Sequence, residues 1–510
     1  MSMNIVARLL NKLTMYRLML YCMGILVGAA IILSILDILP YSPSAISLQT
    51  VAFVLVCWGI NEIIARVLKI QPNGESSVIT ALILTSIVGP LSLPEQWPIL
   101  IITAGAAITS KYVFAWRRSH IFNPTAFGVL ASALALGYPA SWWIGSQPLV
   151  PVILAGGVLV LWKIRRWHLI GSFLLTYLGL LVIDGFFVQS RSLSEMMFLI
   201  QSLLTSAALL FFVFVMLVEP LTAPQTRSRR IAFGVVVGGV LFLLQRTLVH
   251  IPYSLELALL IGNIFARIVN PDFRQVFRLQ RKELFSSSIE NFWFQPTRPF
   301  AFAPGQFLEY TFAHARPDSR GVRRYFTIAS SPTEKEVLLT ARFSQPGSTF
   351  KRALRNIKQG DGIVASKVAG DFVLPTNAKQ KLVFIAGGIG ITPFRSIVKY
   401  LLDTNEKRDI VLLYGARGTQ DLVFQDIFAE AEKKFGMQTR YVLSSPDEKE
   451  SGIGGVIDAA LIQSAVPDFR ERLFYISGPE PMVQSIIKII RNIGVSRRYI
   501  KRDYFPGYDN

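Results

Sequence analysis

Ten apolar segments follow one another in the first 270 residues, at about 17–38, 47–68, 77–94, 98–116, 121–140, 148–163, 168–188, 195–218, 230–249 and 253–269. A helix crosses a bilayer core with about 20 apolar residues, so this half predicts a polytopic α-helical membrane domain of about ten helices. Charge supports that reading. There are 17 Lys/Arg and 8 Asp/Glu up to residue 270, against 35 and 25 in the remainder. The basic residues also cluster in alternate loops: Arg8, Lys12 and Arg17; Arg66 and Lys69; Arg117 and Arg118; Lys163, Arg165 and Arg166; Arg227, Arg229 and Arg230. Cytoplasmic loops carry such an excess. The N-terminus and everything beyond residue 270 are therefore expected on the cytoplasmic side of a bacterial inner-membrane type bilayer. Orientation in the bilayer accounts for the formal charge of +19, and no nucleic-acid partner is expected. The first segment lacks a small-residue cleavage pattern and reads as a span, not a signal peptide.

Two cysteines, Cys22 and Cys57, both inside apolar runs, exclude a disulfide scaffold, a four-cysteine metal site or an iron–sulfur cluster built by one chain. No metal is expected. Polar groups within the apolar half are few: Asn61, Glu62, Lys111, Asp184, Glu219, His250, Glu256 and Asn263. Ionisable groups at such positions are functional candidates, although most of these lie near segment ends. Glu219 in MLVEPLTAP and Glu256 in SLELALLIGN stand out. His120, His168 and His250 do not form the intrahelical pairs that bracket a haem and read as interfacial or loop residues.

HIFNPTAFG (His120–Gly128) resembles the Asn-Pro-Ala-Ala-Phe-Gly signature of a family of electron-transfer membrane subunits. These are the D subunit of Rnf complexes and the B subunit of sodium-translocating NADH:quinone reductase. MLVEPLTAP resembles the family's Asp-Pro-Val-Thr-Ser-Pro segment, with Glu219 in place of Asp. The resemblance makes Asn123, Pro124, Glu219, Thr222 and Glu256 the site candidates of this half, and it implies a bound flavin there, FMN or riboflavin. The loop GYPASWWIGSQP has no Thr to carry FMN covalently. Asn123–Pro124 also fits a helix N-cap followed by Pro at the first helical position.

ARIVNPDFRQVFRLQRKE reads as a polar, basic bridge, with a linker at 271–283 and the membrane domain at 1–270. Over 284–378 the chain turns to short alternating strands (ENFWFQP, PGQFLEYTF, RRYFTIASS, EVLLTARF), the pattern of a small antiparallel barrel. From 379 to 510, apolar strands alternate with helices, which argues for a doubly wound α/β domain binding a nucleotide at the strand C-termini. Three glycine turns reinforce this: AGGIGITP (Ala386–Pro393), GSTFKRAL (Gly347–Leu354) and SGPEPMV (Ser477–Val483). Glycines let backbone approach a phosphate, and a following helix N-terminus supplies N–H donors. In RRYFT, strand alternation puts Arg324 and Phe326 on one face and Tyr325 and Thr327 on the other.

PGQF, RYFT with IASSP, GSTF, GGIGITP, YGAR and SGPEPM, in that order over about 284–508, resemble the ferredoxin–NAD(P)+ reductase superfamily. The resemblance implies FAD and NAD(P)H as cofactors. It assigns Arg324 to the FAD pyrophosphate. Phe326 takes the place of a Tyr that stacks on the flavin, beside Tyr325, and Thr327 bonds the flavin nitrogen that accepts hydride. Gly347, Ser348 and Thr349 fall to flavin phosphates. Gly387, Gly388, Gly390, Thr392 and Pro393 fall to the nicotinamide nucleotide, and Gly478, Pro479 and Met482 to the nicotinamide channel. Ser477 stands where the family commonly has Cys beside the hydride path, so Thr327, Phe326 and Ser477 are the catalytic candidates. Phe505, in the tail DYFPGY, is an aromatic that would cover the other flavin face. Arg417 would meet a 2′-phosphate and nearby Asp421 would oppose it, which leaves NADH and NADPH both open.

The whole reads as a membrane-bound flavin oxidoreductase passing electrons from NAD(P)H through FAD to the membrane domain and a quinone or outward acceptor. Two alternatives stand beside it: a haem-type transmembrane ferric reductase or oxidase, and a redox-coupled ion transporter.

Overall fold

The computed structural model describes residues 13–68, 74–93, 95–116, 119–224, 226–246, 251, 253–269, 274–314, 318, 322–343, 347–444 and 453–505. The chain divides into two compact units, Met1–Asp272 and Phe273–Asn510.

The first unit is helical: α1 Met15–Ile35, α2 Pro43–Val67, α3 Gly74–Ile87, α4 Trp97–Val113, α5 Pro124–Leu136, α6 Val150–Ile164, α7 Trp167–Phe187, α8 Leu193–Leu204, α9 Ala207–Phe211, α10 Arg227–Arg246 and α11 Ser254–Val269. Local chemistry sets the ends. Thr14 and Ser42 cap α1 and α2, Ser192 and Glu195 form a capping box at α8, and Gly137 ends α5 in the left-handed region. Small residues set the closest crossings. A Cβ on Gly128 (α5) would stand 2.5 Å from the Thr103 carbonyl oxygen on α4, and one on Gly234 (α10) 2.7 Å from that of Leu169 on α7.

Among the described residues, the ten expected segments do not all form long helices. Five helical stretches among the described residues are long and apolar enough to cross a bilayer: α1, α2, Gln147–Ile164 (which includes α6), α7 and α10. Helices α3, α4 and α5 have 14, 17 and 13 residues. Helix α8 meets the stretch through α9 and the π-helical turn Phe212–Met216 at a 52° bend. Gly89–Pro90 explains the stop after α3, since Pro cannot continue the ladder. The carbonyls freed there are taken inside the unit. The Trp143 indole donates to Thr85 O at 2.6 Å, the Gln49 amide to Val88 O at 3.1 Å, and the Ser141 N–H to Ile87 O at 2.9 Å. A helix can stop among apolar neighbours only when such groups are satisfied.

The second unit holds two six-stranded sheets. The first is antiparallel: β1 Arg274–Ser286, β2 Ile289–Pro296, β3 Phe307–Thr311, β4 Arg323–Thr327, β5 Val337–Arg342 and β6 Gly362–Ala369, in spatial order β4-β3-β6-β1-β2-β5. Helix α12 (Thr349–Arg355) buries Phe350 and Leu354 in its core. One expectation changes here. Residues 274–283, read as linker, belong to β1: Phe277 and Leu279 point into the core while the intervening Arg278 and the following Gln280 do not. Between β4 and β5 no ladder forms among the described residues, and just past β4 the Ala329 N–H donates to Leu338 O on β5 at 2.9 Å.

The second sheet is parallel: β7 Leu382–Gly387, β8 Ile410–Ala416, β9 Gln438–Leu443, β10 Ile453–Gly454, β11 Leu473–Pro479 and β12 Ile500–Phe505, in order β10-β9-β8-β7-β11-β12. Helices α13 (Thr392–Thr404), α14 (Gln425–Phe435), α15 (Ala459–Ala465) and α16 (Glu480–Asn492) connect it. Strand order reverses between β7 and β11, and such a switch point opens a crevice at the strand C-termini.

Candidate functional site

In the antiparallel sheet, β4 pairs with β3 so that Arg324 lies opposite Tyr310 and Phe326 opposite Leu308. Arg324 and Phe326 share a face, both against Phe350. The guanidinium carbon lies 5.5 Å and the Phe326 centroid 5.8 Å from that ring. Tyr325 points the other way, exposed, its hydroxyl donating to Glu309 at 2.6 Å. Arg324 donates to one oxygen of Asp318 at 2.8 Å, and the Thr349 N–H to the other at 3.2 Å. The Ser348 hydroxyl caps α12, accepting from Lys351 N, and Gly347 precedes it. An anionic group is thus already accepted by Arg324 and the Gly-Ser-Thr turn, the donor set a flavin diphosphate requires.

At the ends of β4 and β11, Thr327 and Ser477 are buried, and neither hydroxyl has a hydrogen-bond partner among the described residues. Buried hydroxyls are seldom left so. Both fit polar edges of a flavin and a nicotinamide. Around Ser477 the two glycine turns touch. A Cβ on Gly390 would stand 2.4 Å from Ser477 O, and one on Gly387 2.0 Å from the Met482 sulfur with Pro479 at 3.3 Å. A Cβ on Gly478, whose φ is +158°, would stand 3.2 Å from the Gly387 backbone. Thr392 is buried and bonds Ile389 O at 3.1 Å, locking the turn, and Pro393 follows at the start of α13. Arg417 is exposed just past β8. Asp421, expected to oppose it, is buried and paired with Arg342 at 3.0 Å. Phe505 pairs through its backbone with Pro479; its side chain, and residues 506–510 of the tail, lie outside the described residues.

Sequence reasoning missed what joins the two sheets. Arg395 on α13 donates to Ala329 O at 3.1 Å and to Glu334 at 2.9 Å, and Ser396 donates to Ser330 O at 2.7 Å. These bonds fasten the segment following Thr327 to the nucleotide-side helix. Their only signal in the sequence was a charged residue on an otherwise apolar face of α13.

The helical unit gathers its own cluster. Asn123 caps α5 through Ala126 N at 3.0 Å, with Pro124 first in the helix. Its side-chain amide donates to Glu219 at 2.9 Å. The Thr222 hydroxyl donates to Glu219 at 3.1 Å, and His120 Nε2 lies 3.2 Å from its other oxygen. Asn263 accepts the Asn123 N–H at 2.8 Å, and Arg166 reaches the Glu219 carbonyl at 3.4 Å. Thus HIFNP, EPLT and LLIGN meet. His120, read as an interfacial or loop residue, is a member, and Arg166 was not anticipated. Glu256 stands apart, two turns from Asn263 on α11 and fully buried. His168 is bonded to Arg230 at 2.9 Å, and His250 lies outside the described residues.

Two family models match the chain: "NQR2, RnfD, RnfE family" over residues 133–276, and "Oxidoreductase NAD-binding domain" over 384–488. The glycine betaine monooxygenase reductase subunit of Chromohalobacter salexigens is 26% identical over 42% of this chain and 60% of its own length. The NADH oxidoreductase HCR of Escherichia coli is 26% identical over 39% of this chain and 59% of its own. The chain spans about three fifths of these relatives. Among solved structures, the cytochrome P450 reductase GcoB of Amycolatopsis is similar at 25% identity, covering 46% of this chain and 70% of that one with a TM-score of 0.42. The chain therefore joins a domain of the NQR2, RnfD, RnfE family to an oxidoreductase NAD-binding domain.

Proposed function

We propose that this chain is a membrane-bound, NAD(P)H-dependent flavin oxidoreductase that sends electrons from FAD on the second unit into the helical unit and on to a quinone or an outward acceptor. The observation that carries the reading is the pair of buried, unpartnered hydroxyls, Thr327 and Ser477, at the strand ends flanked by the three glycine turns. FAD, when bound, supplies two-electron acceptance from a nicotinamide and one-electron release, chemistry the protein positions and tunes. Arg324 and the Thr349 N–H would hold its diphosphate, with Phe326 beside the ring system. Thr327 Oγ1 would hydrogen-bond the flavin edge and Ser477 Oγ the nicotinamide carboxamide side. The close contacts of Gly387, Gly390 and Gly478 would form the floor of the crevice.

In the helical unit, the Glu219 cluster is the candidate site for a second flavin, FMN or riboflavin, and for electron entry. The alternation of basic loops supports a cytoplasmic N-terminus and a cytoplasmic second unit. Anaerobic absorption spectra of the detergent-purified chain, before and after NADH or NADPH, test the scheme. Flavin bands that bleach support it, and more than one flavin per chain assigns the second to the helical unit. A chain with no flavin overturns it, and a Soret band that shifts on reduction favours the haem-type alternative.

A further inference from the structure

We propose that Asp318 sets the affinity and selectivity of the flavin site: its carboxylate holds the donors of the FAD diphosphate and must release them for FAD to bind. This rests on the flavin reading above and concerns a residue outside every motif that pointed to it.

Asp318 lies between β3 and β4 and bonds two separate parts of the phosphate-binding set. One carboxylate oxygen accepts from Arg324 Nη2 at 2.8 Å, the other from the Thr349 N–H at 3.2 Å. The pairing with Thr349 is reciprocal, because the Asp318 N–H donates to Thr349 Oγ1 at 3.0 Å. His314 completes the arrangement. Phe312 O, 2.8 Å from its Nδ1, can only accept, so in the neutral ring Nδ1 carries the proton and Nε2 accepts from the Thr349 hydroxyl at 3.0 Å. Thr349 is thus fixed on two sides, and its N–H is aimed at the anion that lies beside Arg324.

A backbone amide carries one hydrogen, so the Thr349 N–H given to Asp318 is withheld from a phosphate oxygen. Charge acts in the same direction. Were the carboxylate to stay, one guanidinium would face it and both phosphates together, and like charges at such separations repel. Asp318 is placed to leave. Its side chain is 24% exposed against 14% for Arg324, so turning about its own side-chain bonds takes the carboxylate to water while its N–H keeps Thr349 in place. An ion pair bracing Arg324 alone would leave the Thr349 N–H to another acceptor. Every anion that enters has to displace the carboxylate. FAD offsets that cost through its ring system beside Phe326, whereas inorganic phosphate or pyrophosphate has no ring to place there. Asp318 therefore keeps the donors from small anions and leaves FAD exchangeable.

The test uses the full chain in detergent. FAD released on dilution and rebound on titration is followed by flavin fluorescence, and chromatography counts FAD apart from FMN or riboflavin. Asp318→Asn and Asp318→Ala are each expected to lower the Kd for FAD roughly ten- to a hundredfold, the range for charge-assisted contacts no longer competed for, and to slow its release. Inorganic pyrophosphate, which is the diphosphate alone, should block FAD uptake at lower concentration in both variants than in the wild type. Asp318→Glu keeps the charge and should stay nearer the wild type. Weaker FAD binding in both neutral variants would make Asp318 a brace for Arg324 and overturn the proposal, as would an unchanged Kd. The thermal midpoint monitors folding, and Asp318→Ser gives the same comparison if the alanine variant does not fold. A wild-type chain that holds no FAD and takes none up would overturn the flavin reading itself and this proposal with it.

Discussion

Asn123 donates to two partners at once: its backbone N–H to Asn263 at 2.8 Å and its side-chain amide to Glu219 at 2.9 Å. One residue thereby ties the start of α5 to α11 and to the segment after the π-helical turn. Glu219 is half-buried, and donors such as these offset the cost of drawing its carboxylate out of water.

Replacing Glu219 with Gln removes the charge facing His120 and sets an NH2 group against the Asn123 amide or the Thr222 hydroxyl. Reduction of a short-chain quinone by NADH should fall by about tenfold or more, while ferricyanide reduction at the second unit stays near wild type. Comparing the two acceptors in one preparation checks this; equal loss in both would remove Glu219 from the electron path.

Thr327→Val keeps the shape and removes only the hydroxyl. Loss of one hydrogen bond at the reacting edge predicts roughly tenfold slower flavin reduction with flavin retained, and Thr327→Ser should restore most of it. Stopped-flow bleaching of the flavin by NADH measures both.

Gly390→Ala and Gly387→Ala should differ. The new Cβ at 390 meets backbone, 2.4 Å from Ser477 O, whereas at 387 it meets the flexible end of Met482. Overpacking against backbone costs about 1–3 kcal/mol, so Gly390→Ala should lower the thermal midpoint more. Flavin-release melts of the two variants decide the order.

Asp468 lies between Arg472 at 2.6 Å and Lys381 at 2.7 Å, and these partners hold its carboxyl down from 3.8 to about 2. A depressed folded-state value contributes stability above the unfolded value, lost as pH falls through the folded one. That contribution should be intact above about pH 4 and fade toward pH 2. Asp468→Asn should flatten the acid limb of a melt series in that window.

Much of the second unit was legible because its chemistry is local. The glycine turns and the alternation of RRYFT declare themselves within a few residues, as does the Asn123 cap in the first unit. Arg342, Arg395 and Glu334 did not, because each acts on a partner some 60 or more positions away. The strand at Arg274 was read as a bridge because its outward residues are basic, although Phe277 and Leu279 carry the period of two. Hydropathy likewise marked where helices α3 and α5 lie but not where they stop, since their ends depend on Gln49, Trp143 and Gly137. His120 looked peripheral because its acidic partner lies 99 residues on.

Gly234 and Gly238 sit one turn apart on α10, each pressed against backbone of α7: Cβ positions would fall 2.7 Å from Leu169 O and 2.8 Å from Phe173 O. Two helices in register at that distance cannot slide or roll past one another without a collision of main chains, so they move as a single rod. Any rearrangement that accompanies the arrival of an electron must then be taken up elsewhere in the unit. The joint best suited to it is the 52° elbow between α8 and the π-helical turn, which lies in the chain just before Glu219.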